Sequence, residues 1–189
     1  GQSWFTGDTV ITGIGQGFLQ TTPLQLASAT ATLAERGRRM QLRLIKAVQQ
    51  PGQKPVLSPL KELPPVIADK PQYWSEIIRA MQSVINNPNG TGFRFGKPSY
   101  TVAAKTGTAQ VYTKKHDSQQ PIPERERDNS LFIAFAPVKN PKIAVAAVVE
   151  NDVSAPVIAR KVMDYYLLTQ HHLAHTKETP HNDTIPQSS

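Results

Sequence analysis

The sequence predicts an α/β fold of the α+β type, because helical and strand segments are both clear and the last two strands read as an antiparallel hairpin. In the first half, residues 23–35 and 73–85 carry apolar residues at helical spacing. In the second half, residues 131–138 and 142–150 are short apolar segments that predict strands. Lys139-Asn-Pro141 separates these two strands, so an antiparallel hairpin is expected.

Local signals indicate where the helices begin and end. Thr22 followed by Pro23 is typical of an N-cap and a first helical position, and Gly37 is typical of a helix end. A third helix is predicted at residues 155–168. The apolar stripe of the second helix consists of Trp74, Ile77, Ile78, Met81 and Ile85. Each helix can therefore pack one side against a sheet.

The remaining segments connect these elements. Residues 42–48 alternate as a strand, and the proline-rich residues 50–70 are interpreted as an extended surface connection rather than a linker between domains. The polar segment 113–129 is too long for a hairpin turn, so it is either a functional loop or a mobile insertion. We expect one domain portion over residues 1–168 and a polar, disordered tail over residues 169–189.

Composition excludes several classes of function. The chain has 189 residues, a net charge of +7 and no cysteine, so disulfides and thiolate metal sites are excluded. No zinc-finger spacing or RNA-binding aromatic pattern accompanies the positive charge, so no nucleic-acid partner is expected. We interpret the one basic cluster as a solvated face; its members are Arg36, Arg38, Arg39, Arg43 and Lys46.

Other candidates for chemistry are weak. His171 and His175 are four residues apart, but no third ligand lies nearby, so a frayed tail explains them better than a metal site. Asp8 and Asp152 adjoin glycine- or serine-containing segments and are interpreted as turn caps rather than acid–base catalysts.

The most informative stretch is Lys105-Thr106-Gly107-Thr108, within a strand predicted at residues 100–112. Strand alternation places Lys105 and Gly107 on one side and the two threonines on the other. A ligand that meets all these groups must lie along the rim of the strand, and Gly107 lets a ligand approach the backbone closely. We therefore predict an edge strand that lines a cleft. An ordinary strand with one snorkelling lysine is the alternative.

Several motifs in this order resemble the C-terminal half of the class B penicillin-binding transpeptidases of Gram-negative bacteria. K-T-G is part of the signature of serine β-lactamases and penicillin-binding proteins. The residues that carry the resemblance are Gly7-Asp-Thr9, Gly13-Ile-Gly-Gln-Gly17, Thr22-Pro-Leu-Gln25, Asn87-Pro-Asn-Gly-Thr91, Ala103-Ala-Lys-Thr-Gly-Thr-Ala-Gln110, Ala134-Phe-Ala-Pro137 and Glu150-Asn151.

The resemblance implies a mostly antiparallel sheet flanked by helices, incomplete in this chain, with the K-T-G strand beside the active-site cleft. It also implies roles for four residues. Lys105 would orient the substrate carboxylate, the hydroxyls of Thr106 and Thr108 would hydrogen-bond it, Gly107 would line the substrate site, and the Thr108 N–H would be an oxyanion-hole donor. The implied reaction is acyl transfer from a D-Ala-D-Ala stem peptide to an amine, with β-lactams acylating the same serine and no cofactor or metal.

The family's nucleophile motif S-x-x-K and its S-x-N motif precede the Gly13–Gly17 region, so we expect both to be absent here and the chain alone to be inactive. The resemblance further implies an N-terminal membrane anchor, the periplasmic face of the inner membrane, and a polymerising glycosyltransferase of the elongation machinery as partner. Without the upstream half, exposed apolar surface is expected. A D,D-carboxypeptidase, a β-lactamase-type hydrolase and a non-catalytic binding domain of the same fold remain alternatives.

Overall fold

The computed structural model describes residues 3–17, 19–110 and 123–169. The structure contains both helices and strands, as the sequence predicts. The helices are α1 (Thr6–Gly13), α2 (Pro23–Ala34), α3 (Gln72–Asn86) and α4 (Ala155–Asp164), with short 3-10 helices at Phe93–Phe95 and Glu124–Glu126. The strands are β1 (Arg39–Met40), β2 (Ala47–Val48), β3 (Val56–Leu57), β4 (Glu62–Leu63), β5 (Ala103–Ala109), β6 (Asn129–Ala136) and β7 (Ile143–Val149).

The central sheet is antiparallel and has the order β5-β6-β7. Strands β6 and β7 form the predicted hairpin, in which Ala136 pairs with Ile143, and Lys142 N–H donates to the Ala136 carbonyl at 2.9 Å. Strand β5 pairs with β6 alone, with Lys105 opposite Ile133 and Gly107 opposite Leu131. Among the described residues, β5 is thus an edge strand, which confirms that part of the prediction.

Each face of the sheet packs against helices. On one face Ala104, Phe132 and Ala134 share a core with Phe95 and with the α4 residues Ala155, Ala159 and Met163. On the other face Ala103 and Phe135 share a core with Ala34 of α2 and with Ile78 and Met81 of α3. A mostly antiparallel sheet flanked by helices is therefore confirmed.

Helix α2 begins and ends where the sequence predicts. The Thr22 hydroxyl accepts from the Gln25 N–H at 3.2 Å, and the Thr22 N–H donates to the Gln25 side chain at 2.8 Å, which satisfies two amide groups that a helix start leaves unpaired. Gly37, with φ of +99°, follows the helix, and its N–H donates to the Thr32 carbonyl at 2.8 Å. Both local signals are confirmed.

Two parts of the first 70 residues differ from the prediction. No regular element was expected near the N-terminus, yet α1 forms there, and its first turn is stabilised by the Phe5 N–H donating to the Asp8 carboxylate at 2.8 Å. This contact confirms Asp8 as a cap. The predicted strand at 42–48 is wrong except for Ala47–Val48. That strand pairs with β3, and β1 pairs with β4, so the proline-rich segment folds back as a short antiparallel ribbon.

The second half agrees more closely with the prediction. Strand β5 is shorter than the predicted 100–112, and the helix predicted at 155–168 comprises α4 followed by a π-helical turn at Tyr165–Thr169. Residues 113–122 of the polar loop, together with His171, His175 and the rest of the predicted tail, lie outside the described residues. Within the part of the chain that is described, no helix is long and apolar enough to cross a bilayer.

Candidate functional site

Strand β5 is anchored at one end and open at the other. Ala103 and Ala104 are fully buried, whereas Lys105 and Thr108 are exposed and Thr106 and Gly107 are half-buried. The lysine and the threonines therefore lie at the surface, on a strand that the core holds in place through its first two residues. This placement agrees with a binding role for Lys105, and it agrees equally with the alternative of an ordinary strand with one snorkelling lysine.

The backbone of β5 presents alternate residues to its free side. The Lys105 ammonium donates to the Thr106 carbonyl at 2.7 Å, and the Gln16 side-chain amide donates to the Thr108 carbonyl at 2.8 Å. In an antiparallel pair, a residue directs both its N–H and its C=O toward the partner strand or directs both away from it. Since these carbonyls meet side chains rather than β6, the N–H groups of Thr106 and Thr108 also face outward.

The two threonine side chains share one face of the strand. The Thr106 hydroxyl lies 2.9 Å from the Thr91 hydroxyl. The preceding turn holds Thr91 in place, since Gly90 N–H donates to the Asn87 carbonyl at 2.8 Å and Gly92 N–H donates to the Val84 carbonyl at 3.0 Å. The motif around Asn87 thus reaches the K-T-G strand.

Packing explains the glycine at position 107, in addition to the predicted close approach of a ligand. A Cβ at this position would lie 3.1 Å from Cβ of Leu131 on β6, closer than ordinary van der Waals contact. The missing side chain thus lets the edge strand lie close against its neighbour.

Sequence reasoning gave no role to Gln16 or Thr91, although the motifs that contain them were part of the resemblance. Each contacts the edge strand, Gln16 at Thr108 and Thr91 at Thr106. The signal that could have found them is a polar side chain with hydrogen-bonding capacity inside a glycine-rich turn, since such turns bring side chains to sites far along the chain.

A cluster of polar side chains ties the approach to β5 to the C-terminal helix. The Tyr100 hydroxyl donates to the Asp164 carboxylate at 2.7 Å, and Arg160 Nε contacts both carboxylate oxygens at 2.7 and 2.8 Å. Arg160 also donates to the Phe95 carbonyl at 3.0 Å. Burial, reinforced by the hydrogen bond to Asp164, raises the pKa of the Tyr100 phenol well above its ordinary value.

The expectation that the chain contains no S-x-x-K was wrong in its literal form. Ser58-Pro-Leu-Lys61 has this spacing. It lies in the ribbon, where the Ser58 N–H donates to the Lys46 carbonyl at 2.9 Å and Lys61 precedes β4. Residues three apart share a face on a helix but point to opposite sides of an extended chain, so Lys61 cannot serve as the base of Ser58. No S-x-N is present.

An antiparallel sheet between helices, with a K-T-G strand at its free edge, is the arrangement expected of a penicillin-binding transpeptidase. The family described as "Penicillin binding protein transpeptidase domain" matches residues 1–164. The chain belongs to this family.

Individual relatives show which members of the family this chain is similar to. The chain is similar to peptidoglycan D,D-transpeptidase MrdA of Haemophilus influenzae, with 39% identity over 176 residues that make up 87% of this chain and 26% of the relative. Its similarity to MrdA of Escherichia coli K12 is 36% identity over 185 residues, or 94% of this chain and 29% of the relative. The chain thus spans about a quarter of the length of the curated relatives it matches.

Solved structures agree with this family assignment. Pseudomonas aeruginosa PBP2, crystallised with WCK 5153, matches with a TM-score of 0.64 and 37% identity over 90% of this chain and 36% of that one. The imipenem acyl-enzyme complex of penicillin-binding protein A from M. tuberculosis matches with a TM-score of 0.64 and 28% identity, covering 83% of this chain and 33% of that one. The strong relation to the Gram-negative MrdA proteins confirms the resemblance seen in the sequence.

Proposed function

We propose that this chain is the C-terminal segment of a peptidoglycan D,D-transpeptidase that cross-links stem peptides by serine acyl transfer and is acylated by β-lactams. The observation that carries the proposal is the free edge of β5, where the outward N–H groups of Thr106 and Thr108 lie beside an exposed ammonium and an exposed hydroxyl. These groups are hydrogen-bond donors and one positive charge, which suit a ligand that carries a carboxylate and a reacting carbonyl.

Each residue of the edge strand has a distinct task in this mechanism. The Lys105 ammonium and the hydroxyls of Thr106 and Thr108 hold the substrate carboxylate, while Gly107 keeps the strand close to β6. The Thr108 N–H donates to the oxygen on which negative charge develops during acyl transfer. Removal of one such donor typically raises the barrier by roughly 2.7–4 kcal/mol.

The nucleophile of the reaction belongs to a part of the protein outside this chain. Ser58 is the one serine here with a lysine at the required spacing, and its surroundings are those of the ribbon. A carbonyl oxygen of Ser58 accepts from the Arg43 guanidinium, which further fixes this segment as a structural connection.

Labelling with a fluorescent penicillin tests the proposal. The complete protein that contains this segment should be labelled covalently, whereas residues 1–189 alone should not be. The variant Ser58→Ala in the complete protein should be labelled like the unaltered protein. An unlabelled complete protein would contradict the proposal, and labelling at Ser58 would contradict the placement of the nucleophile.

Product analysis separates transfer from hydrolysis. A stem peptide that ends in D-Ala-D-Ala, incubated with an amine acceptor, should give the amide of the acceptor as the main product. Free acid as the main product would instead identify a D,D-carboxypeptidase.

We further propose that the protein acts on the periplasmic side of the inner membrane, where an N-terminal anchor would hold it, beside a polymerising glycosyltransferase of the elongation machinery. The basis of this proposal is the resemblance of the sequence motifs to those of the class B transpeptidases. Co-purification with a membrane glycosyltransferase is the test. A solved structure contains PBP2 bound to MreC from Helicobacter pylori. The same co-purification experiment would show whether a protein similar to MreC binds the protein that contains this chain.

A further inference from the structure

The glycine-rich turn after α1 contacts the edge strand through the side chain of Gln16. Gln16 Nε2 donates to the Thr108 carbonyl at 2.8 Å, across 92 residues of sequence. Gly15 and Gly17 on either side have φ of +80° and +73°, which only glycine adopts without strain. A Cβ on Gly17 would also lie 2.9 Å from a methyl carbon of Ile11 in α1. The turn therefore holds Gln16 in a defined direction.

We propose that Gln16 is a positioning residue that aligns the Thr108 end of β5 for acyl transfer, an inference that rests on the proposed function. The Thr108 carbonyl faces the same side as the Thr108 N–H, because both point away from β6. A hydrogen bond that fixes this carbonyl restricts rotation of the backbone on either side of Thr108. It therefore restricts the direction in which the N–H and hydroxyl of Thr108 meet the reacting group.

The edge strand needs such a restraint at this end. Buried alanines hold its beginning, whereas Thr108 is exposed and β5 ends at Ala109. Donors of a catalytic site must be held within about 0.5 Å of their productive positions, and a strand paired on one side is poorly held on the other. A carbonyl oxygen has two lone pairs, so the bond from Gln16 leaves room for an N–H of a bound peptide.

The test uses the complete protein and three variants. Gln16→Met keeps the length of the side chain and removes the donor. Gln16→Glu places a carboxylate against the Thr108 carbonyl at neutral pH and regains a donor as the pH falls toward about 4.3, the ordinary pKa of Glu. Gln49→Met is the matched control, because Gln49 also donates to a backbone carbonyl, that of Gln53 at 3.1 Å, but does so in the ribbon.

The rate constant of acylation by a fluorescent penicillin, measured apart from the affinity of the first encounter, is the decisive quantity. Gln16→Met should lower it by about tenfold at an unchanged melting temperature, while Gln49→Met leaves it unchanged. Gln16→Glu should be slower still at pH 7.5, and its deficit relative to the unaltered protein should shrink at pH 5. An unchanged acylation rate in Gln16→Met overturns the inference, as does an equal loss in Gln49→Met.

Hydrogen exchange tests the restraint independently of any activity. Amides of residues 105–110 should exchange faster in Gln16→Met than in the unaltered protein or in Gln49→Met, and equal exchange in all three overturns the inference. An unaltered protein that no penicillin labels would instead contradict the proposed function, and the exchange experiment would still decide the role of Gln16.

Discussion

At the residue scale, the position of Lys105 decides between a binding role and a structural one. Its side chain is exposed and folds over the edge of its own strand to the Thr106 carbonyl at 2.7 Å. An exposed ammonium contributes little to folding stability, whereas the same group contributes substantially to holding a carboxylate in a site that excludes water.

Lys105→Ala in the complete protein should therefore lower the rate of β-lactam acylation by about ten- to a hundredfold, the effect of losing one or two charge-assisted hydrogen bonds. The melting temperature should stay within about one degree of the unaltered protein. Lys97→Ala removes another exposed lysine ahead of β5 and is the matched control. A collapse of thermal stability in Lys105→Ala would show that the lysine is structural.

Tyr100 gives a second prediction, which concerns stability. Because its pKa is raised in the folded state, it stays protonated there while the unfolded chain begins to ionise near pH 10. Its stabilising effect is thus complete below about pH 10 and is lost as the pH rises further. Tyr100→Phe should cost about 1–2 kcal/mol at pH 8, and the gap to the unaltered protein should narrow above about pH 10.

Chemical denaturation of both proteins at pH 8, 9 and 10.5 measures this gap. Tyr73→Phe, on α3 away from the Tyr100–Asp164 contact, serves as the control for tyrosines in general. A gap that stays constant through pH 10.5 would contradict the assigned role of the Tyr100 hydroxyl.

At the scale of elements, the sequence predicts best what depends on neighbouring residues. The start of α2 at Thr22-Pro23 and the β6–β7 hairpin follow from caps, turns and periodicity, and the structure has both. Helix α1 was missed because its large apolar residues, Val10 and Ile11, are adjacent in sequence and show no helical spacing. The ribbon was missed because Ala47 pairs with Leu57 and Arg39 with Leu63, contacts that no local pattern shows.

The candidate site, too, could be predicted from the sequence only in part. The K-T-G strand and its edge position follow from strand alternation and from polar groups in an apolar setting. Gln16 and Thr91 reach that strand through tertiary contacts that sequence spacing cannot reveal. Ser58 and Lys61 show that spacing alone can also mislead. They have the spacing of a catalytic motif, but their extended local structure does not bring the two side chains together.

A further prediction concerns Gly37, which lies between α2 and β1. A Cβ there would collide with the Val66 carbonyl and lie 3.0 Å from the Trp74 ring, and φ is +99°. The Gly37 carbonyl also accepts from the Val66 N–H at 2.9 Å, so this residue joins the end of α2 to the end of the ribbon. Gly37→Ala should cost about 2–4 kcal/mol of unfolding free energy, from backbone strain and overpacking together.

Gly52→Ala is the matched control for that measurement. Gly52 also has positive φ, at +76°, but a Cβ there would meet nothing within 4 Å. It should cost about 1 kcal/mol by urea denaturation. Equal costs for the two variants would mean that strain alone, and not the contact with Val66, makes a glycine necessary at position 37.

At the scale of the whole molecule, large apolar side chains remain exposed on several elements, as expected from the sequence. Among them, Ile14 is 75% exposed, Ile67 is 85% exposed and Leu44 is 99% exposed. They lie on the turn after α1, beyond β4 and in the ribbon, respectively. Large exposed apolar surfaces mark contacts with other polypeptide, so we expect part of this surface to be covered in the complete protein.

Residues 1–189 produced alone should therefore bind the dye ANS strongly and form oligomers whose size increases with concentration. The same segment within the complete protein should do neither, because there the surface is covered. ANS fluorescence and light scattering measure the two effects. A monodisperse chain with little dye binding would contradict this account.

Alanine fills much of the interior of the sheet, with Ala103, Ala104, Ala134 and Ala136 all at zero exposure and Ala155 and Ala159 of α4 equally enclosed. The larger enclosed side chains Phe132, Phe135 and Met163 lie among them. Because the interior is close-packed, a longer side chain at one of the alanine positions would push the strand away from its helix. Evolution can therefore alter the border of β5 by exchanging its surface groups, whereas the alanine positions behind it leave little freedom for change.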